Sequence, residues 1–277
     1  MKDFKLGLQL YSVRDQMEKD VEATLKAVAE MGYEVVEPAG YFGKSAEEFK
    51  ALLDKYSLEA ASVHQRYDVF INEPQKNVYF LKTLGVKYCA IPWMGPENHK
   101  GCENFEKAVE EILYTSKLLA NAGIQLLYHN HEFEFNKYEE KYLLDWLYET
   151  VGTDNLKPEL DTCWAKYAGT DVTAYMKKYS GQLDCLHLKD FEAEELGAGP
   201  VYALIDSTGN ALSPNNRANR KFRFRPLGKG MQDFDSIIAA AKECGTKYLI
   251  VEQDESYDEN SLDCAKTSIE YLRAKGL

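Results

Sequence analysis

Histidine and carboxylate side chains recur at the ends of short apolar segments in this 277-residue chain. His129 and His131 end one such segment, Glu159 and Asp161 end the next, and His187 lies in the one after that. Imidazole nitrogens and carboxylate oxygens bind Zn²⁺, Mn²⁺, Co²⁺ and Fe²⁺ in proteins. We therefore expect one divalent metal ion (Mn, Zn, Co, Fe or Mg) as cofactor, with manganese or zinc favoured.

Further polar residues end the other apolar segments. They are Glu37, His64, Lys189, Asp190, Glu252 and Asp254. A buried charge costs several kcal/mol unless something compensates it, and a divalent cation is the simplest compensation. Because side chains alternate along a strand, Glu159 shares a face with Asp161, and Glu252 shares a face with Asp254.

The elements that position these residues alternate along the chain. Segments rich in β-branched and aromatic residues alternate with amphipathic segments of helical period, which is typical of repeated βα units. The predicted strands span residues 6–11, 33–38, 59–64, 88–93, 125–131, 157–162, 185–189 and 248–253, and predicted helices include 21–31, 45–56, 105–122 and 233–244. Eight units of about 35 residues predict a single-domain (β/α)₈ TIM barrel over residues 1–277. An open doubly wound sheet also alternates, but it often has a glycine-rich turn that residues 10–14 lack.

The connection after the seventh predicted strand is long. We expect an insertion at about residues 191–233 that covers the barrel mouth. Residues 217–225 within it are strongly basic. Arg225 and its neighbours could bind an anionic group of a substrate, or an acidic patch of another subunit in a homo-oligomer.

The charge balance excludes some partners. The chain has 33 Lys and Arg against 45 Asp and Glu, a formal net charge of −12. This excess repels nucleic-acid phosphates and anionic membrane surfaces, so we expect neither partner. The sequence has no long apolar run and no CxxC pair among six cysteines, which predicts a cytoplasmic protein with reduced thiols.

The order of the strand-end motifs resembles the xylose isomerase-like TIM-barrel family of sugar phosphate isomerases and epimerases, which includes inosose dehydratase-like proteins. The motifs are Val35-Val-Glu37, Ser62-Val-His64, Tyr128-His-Asn-His131, Leu160-Asp-Thr162, Leu186-His-Leu-Lys-Asp190, Pro226-Leu-Gly-Lys-Gly230 and Val251-Glu252. The resemblance implies that Asp161, His187 and Glu252 are metal ligands. His129 stands where the family has a glutamate on strand five, so we expect His129 as the fourth ligand.

The resemblance also implies an activity. Such an enzyme removes a proton beside the carbonyl of a sugar, keto-sugar or polyol ketone and forms a metal-stabilised enediolate. Reprotonation gives an epimer or an isomer, whereas loss of a β-substituent gives a dehydratase or lyase. We expect an isomerase or epimerase. The alternative is a dehydratase or lyase on a keto-sugar or keto-glycoside, because a metal-bound His129 is a poor second base.

Roles for individual residues follow from this resemblance. Glu252 is the expected acid or base, and Glu159, Glu134, Lys189 and His64 are candidates for the second proton transfer. The expected substrate-binding residues are Glu37, His64, Trp93, His131, Trp164 and Arg225. The indoles offer flat platforms for a sugar ring, although Trp164 is equally compatible with the core.

Two other functions compete with this one. A DNA-repair enzyme similar to endonuclease IV would need a zinc cluster, more than the five histidines present and a basic face. A sugar-binding barrel without activity would have no reason to gather Asp161, His187 and Glu252 around a cation.

Overall fold

Parallel strands form the centre of the computed structural model, which describes residues 4–197, 221–257 and 259–277. The strands are β1 Lys5–Gln9, β2 Val35–Glu37, β3 Glu59–Ala60, β4 Tyr88–Ile91, β5 Gln125–His129, β6 Lys157–Asp161, β7 Cys185–Leu188 and β8 Tyr248–Val251. They hydrogen-bond in the order β3-β2-β1-β8-β7-β6-β5-β4. A parallel bridge between His64 and Ala90 joins the two ends of this order. The predicted (β/α)₈ barrel is confirmed.

Helices cover the outside of the barrel. They are Arg14–Met17, Val21–Glu30, Ala46–Lys55, Asp68–Asn72, Pro74–Leu84, Phe105–Ala120, Leu143–Val151, Thr162–Tyr167, Val172–Lys178, Phe234–Cys244 and Ser261–Ala274. The Ser45 hydroxyl accepts a hydrogen bond from the Glu48 N–H, and the Glu48 carboxylate accepts one from the Ser45 N–H, so the helix Ala46–Lys55 begins with a capping box. In the described parts of the chain, no helix is both long and apolar enough to cross a membrane.

Alternation along the strands separates two apolar layers. One face of the strands packs against the helices, and the other contributes the residues that fill the barrel interior. These interior residues are Val35, Ala61, Tyr88, Ala90, Leu127, Cys185, Tyr248 and Ile250. On β1 the interior position is Gly7, where a Cβ would lie 2.5 Å from Ile250 and 2.6 Å from Val35. The apolar interior thus supports the polar side chains that follow it toward the C-terminal ends of the strands.

A two-stranded antiparallel ribbon follows β7 and pairs Asp190–Glu192 with Arg223–Arg225. We call it the mouth ribbon. Its Phe191 and Phe224 are buried in one aromatic cluster with Phe222 and Trp164. The insertion expected at about residues 191–233 includes residues 198–220, which lie outside the described residues, so its extent stays a prediction.

The Asp190 carboxylate fixes the chain that returns from the mouth ribbon. It accepts hydrogen bonds from the backbone N–H groups of Phe191, Gly228, Gly230 and Gln232, at 2.9 to 3.1 Å. A Cβ at Gly230 would lie 2.3 Å from Asp190 Oδ1 and 2.4 Å from the Phe191 carbonyl oxygen. Only glycine fits this close approach, which explains the Pro-Leu-Gly-Lys-Gly segment noted in the sequence.

Candidate metal centre

The C-terminal ends of β5 to β8 bring four of the predicted residues together. The strand register pairs Asp161 with His187, and His129 and Glu252 lie on the strands on either side. All four are buried, with at most 5% of any one exposed. One ligand atom from each lies within 4.8 Å of the others. We call His129, Asp161, His187 and Glu252 the outer group.

A second group shares two of these residues. His64, His129, Glu159 and His187 also place their ligand atoms within 4.8 Å of one another. Glu159 Oε2 lies 2.8 Å from His64 Nε2, 3.5 Å from His187 Nε2 and 3.7 Å from His129 Nδ1. Because Glu159 precedes Asp161 by two residues on β6, this group lies further inside the barrel. We call it the inner group.

Buried polar atoms test whether these residues suit a cation. Among the described residues, His129 Nδ1, Glu159 Oε1 and Glu37 Oε1 are buried and have no hydrogen-bond partner. Such atoms cost about 1–3 kcal/mol each when nothing compensates them. Mixed imidazole and carboxylate donors at this spacing suit a divalent transition metal. The residues therefore fit a divalent cation.

Lys189 adds a fixed positive charge beside the outer group. Its side chain is 1% exposed, and Nζ lies 3.0 Å from Asp161 Oδ2, 3.0 Å from Glu252 Oε2 and 2.9 Å from Asp254 Oδ1. Burial disfavours the ammonium, but the three carboxylates outweigh burial and hold the pKa of Lys189 well above its ordinary value. Nζ also lies 5.1 Å from the Trp164 ring centroid. Lys189 is therefore charged.

The two histidines shared by both groups differ in charge. Burial, followed by the charges of His187 and His64, holds the pKa of His129 well below its ordinary value, so its imidazole is neutral. Burial also opposes charge at His187, but carboxylates, Glu37 first, outweigh it and raise the pKa well above its ordinary value. His187 Nδ1 lies 2.8 Å from Glu252 Oε2, and Nε2 lies 2.7 Å from Glu37 Oε2.

Two carboxylates have pKa values shifted in opposite directions. Burial favours the neutral form of Glu252, but Lys189 and His187 outweigh it and lower the pKa of Glu252 below its ordinary value. At Glu159, burial and then the nearby Glu37 carboxylate dominate and raise the pKa above its ordinary value. Such a pair can supply a base and an acid in one site.

Glu37 was expected to bind substrate, and the structure places it as a partner of two imidazoles. Its Oε2 lies 2.7 Å from His187 Nε2 and 3.2 Å from His64 Nε2. It also accepts a hydrogen bond from Gln9 Nε2 at 2.9 Å. A carboxylate in this position orients metal-binding histidines. Gln9 was not predicted from the sequence. The signal that could have identified it is a polar residue at the end of β1.

Glu134 lies away from both groups. Its carboxylate accepts hydrogen bonds from the Tyr128 hydroxyl and the His131 N–H, both at 2.7 Å. Tyr128 belongs to the apolar layer that packs against the helices. Burial raises the pKa of Glu134 to about 8. This carboxylate therefore positions the turn after β5, and the structure does not bring it to the predicted ligands.

Trp93 and Arg225 were expected to bind substrate. Trp93 is half-buried and lies just after β4, and its expected role stays a prediction. Arg225 Nη2 lies 2.6 Å from Glu192 Oε1 on the mouth ribbon. Because Phe224 is buried against Trp164, alternation puts Arg225 on the opposite ribbon face. Within the basic segment, Lys221 pairs with Glu194, and residues 217–220 lie outside the described residues.

His131 and Trp164 lie beside the outer group. The His131 ring centroid is 5.2 Å from that of His129 and 5.7 Å from that of Trp164. The fully buried Trp164 ring stacks on Phe222, with centroids 5.8 Å apart and an interplanar angle of 8°. The indole thus forms part of the wall between the centre and the aromatic cluster.

Comparisons with known proteins agree with the barrel fold. A curated relative, the inosose dehydratase of Mesomycoplasma hyopneumoniae strain 7448, is 24% identical over 281 residues, which cover 91% of this chain and 88% of the relative. A sugar phosphate isomerase/epimerase from Parabacteroides distasonis superposes with a TM-score of 0.73 at 20% identity, over 99% of this chain and 95% of that one.

A third similar protein carries a metal. The structure of the IolI protein with a bound zinc atom superposes with a TM-score of 0.72 at 17% identity, over 98% of this chain and 97% of that one. The family model described as xylose isomerase-like TIM barrel matches residues 25–275. This match covers most of the chain, and the protein belongs to the xylose isomerase-like TIM barrel family.

Proposed function

We propose that this protein is a divalent-metal-dependent dehydratase acting on a keto-sugar or a cyclic polyol ketone. A C–H bond beside the carbonyl breaks, a C=C bond forms, and the hydroxyl of the next carbon leaves as water. The observation that carries the proposal is the convergence of His129, Asp161, His187 and Glu252 within 4.8 Å. A divalent cation held there supplies Lewis-acid polarisation of a carbonyl oxygen.

Glu252 is the base in this proposal. Its lowered pKa keeps it ionised, and its contacts with His187 and Lys189 are made through Oε2. We assign proton acceptance to Oε1. The charged Lys189 stays beside the site and stabilises negative charge that develops on the carbonyl oxygen.

Glu159 is the acid in this proposal. Its raised pKa favours the protonated form, so it can donate the proton that the leaving hydroxyl needs. His64 Nε2 lies 2.8 Å from Glu159 Oε2 and holds that carboxyl in place. The name of the curated relative, inosose dehydratase, supports dehydration, and inosose is a suitable first substrate to test.

An isomerase or epimerase is the second candidate. The opposed pKa shifts of Glu252 and Glu159 favour it, because one carboxyl could remove a proton and the other could return one. In that case Glu159 would deliver its proton to carbon instead of to a leaving hydroxyl. The two candidates share proton removal and differ in the mass of the product.

Solvent exchange and product mass test both candidates. The Mn²⁺-loaded protein is incubated in D₂O with inosose and with a panel of ketoses, followed by mass spectrometry. We expect a product lighter by one water, and we expect Glu252→Gln to abolish it while the exposed control Glu243→Gln retains it. A product that carries deuterium but has lost no water would refute dehydration and support the second candidate. No exchange and no product with any ketone would refute both.

A further inference from the structure

His129 and His187 each direct one ring nitrogen toward the outer group and the other toward the inner group. His129 Nε2 lies 3.8 Å from Asp161 Oδ2, whereas its Nδ1 lies 3.7 Å from Glu159 Oε2. His187 Nδ1 lies 2.8 Å from Glu252 Oε2, whereas its Nε2 lies 3.5 Å from Glu159 Oε2. The two imidazoles therefore separate two neighbouring places where a cation could be held.

A neutral imidazole has one lone pair for a metal, and its other nitrogen carries a proton. A cation in the outer group takes His129 Nε2 and His187 Nδ1. The remaining N–H groups then point at Glu159 and, for His187, also at Glu37. A cation in the inner group takes the opposite nitrogen of each ring. Each position thus requires the tautomers that the other position forbids.

We propose that the barrel contains a second divalent-cation position, formed by His64, His129, Glu159 and His187, and that one ion occupies either this inner position or the outer one. The proposal rests on the metal binding of the proposed function and is independent of its chemistry. An ion in the inner position engages Glu159, the proposed acid, so it is expected to inhibit the enzyme.

The donor atoms distinguish the two positions. The inner group offers three imidazoles and one carboxylate, a set that suits Zn²⁺, whereas the outer group offers two of each and is better suited to Mn²⁺. Glu37 lies 3.2 Å from His64 and 2.7 Å from His187, and it adds a second negative charge beside the inner position. Lys189 contacts both carboxylates of the outer group, so its ammonium opposes cations there.

Matched carboxylate-to-amide changes on β6 separate the positions. Glu159→Gln removes an inner ligand, and Asp161→Asn, two residues later, removes an outer ligand. Equilibrium dialysis with Zn²⁺ alone and with Mn²⁺ alone is expected to give one ion per wild-type chain. We expect Glu159→Gln to weaken Zn²⁺ binding by at least about tenfold and Asp161→Asn to weaken Mn²⁺ binding by a similar factor.

Long-range ¹H–¹⁵N NMR of the histidine rings reads the tautomers directly. In the Zn²⁺-loaded wild type, we expect the metal on His129 Nδ1 and His187 Nε2, and in Zn²⁺-loaded Glu159→Gln we expect it on the opposite nitrogens. If Glu159→Gln does not fold, His64→Gln is a second variant that removes an inner ligand. We expect the same shift of the metal to the opposite nitrogens.

Three other outcomes would each overturn a different part of these proposals. Two ions per wild-type chain would overturn the mutual exclusion. Unchanged Zn²⁺ affinity and tautomers in both inner variants would overturn the inner position and leave the proposed function intact. A wild type that binds neither metal would instead overturn the metal dependence on which the proposed function depends.

Discussion

Lys189→Met is the change that most directly probes the electrostatics of the site. Methionine keeps an unbranched side chain against Trp164 and removes the ammonium. The side chain is 1% exposed, and its Nζ lies within 3.0 Å of carboxylate oxygens of Asp161, Glu252 and Asp254. The variant therefore leaves three buried carboxylates without the cation that they share.

The size of the effect follows from these distances. At an effective dielectric constant of about 20, each pair at 3 Å contributes about 5 kcal/mol of attraction, most of which offsets the cost of burying the charges. Removal of one partner of a buried ion pair costs about 3–5 kcal/mol. A divalent cation in the outer group replaces the missing positive charge, so we expect the variant to bind Mn²⁺ more tightly than the wild type does. Binding that is about a hundredfold tighter returns about 2.7 kcal/mol of the difference at saturating Mn²⁺.

Urea unfolding measures the effect, once with a chelator and once with Mn²⁺. We expect Lys189→Met to lose about 3–5 kcal/mol in the chelator and to recover much of it with Mn²⁺. Lys157→Met is the matched control on β6, because Lys157 Nζ makes one pair at 3.5 Å with Asp184 and is 25% exposed; we expect a loss of about 0–1 kcal/mol there. Unchanged stability of Lys189→Met in the chelator, or a loss that Mn²⁺ does not reduce, would refute the reasoning.

Three further changes test other parts of the structure. Gly230→Ala forces a Cβ against Asp190 and should cost about 1–3 kcal/mol in urea unfolding; an unchanged midpoint would contradict the close approach. Burial raises the pKa of Glu134 to about 8 from 4.5, so the unfolded chain loses this proton first and the stability from Glu134 declines as the pH rises from about 4.5 to about 8. Glu134→Gln should remove that decline. Parallel pH curves of unfolding free energy for the variant and the wild type would contradict this contribution of Glu134. Ser45→Ala removes the capping box and should lower the free energy of unfolding by about 1 kcal/mol, as measured by thermal unfolding. Unchanged stability would contradict a stabilising role of the cap.

The sequence predicts the barrel well because each βα unit is encoded locally. Every predicted strand is present, and the differences lie at the ends. The first strand was expected to reach residue 11, but it ends at Gln9, whose side chain accepts a hydrogen bond from the Tyr11 N–H and starts a 3₁₀ turn. Local polar capping of this kind is not visible in an apolar periodicity.

Alternation predicts polar side chains at inward-facing ends of neighbouring strands, and the resemblance to the family selects Asp161, His187 and Glu252 among them as ligands. Alternation does not predict the inner group. His64 meets Glu159 across the barrel, 95 residues away in the chain, and only closure of the barrel brings the two together. Residues beyond the strand ends were the hardest to place. Glu134 and Arg225 lie in a turn and a ribbon, where local partners decide the direction of the side chain.

Anomalous diffraction from crystals grown with Mn²⁺ tests the central claim most directly. We predict one peak at the C-terminal ends of β5 to β8, at about 2.2 Å from donor atoms of His129, Asp161, His187 and Glu252. Density without any peak there, or with a peak that none of these four side chains contacts, would contradict the assignment of this site as the metal centre.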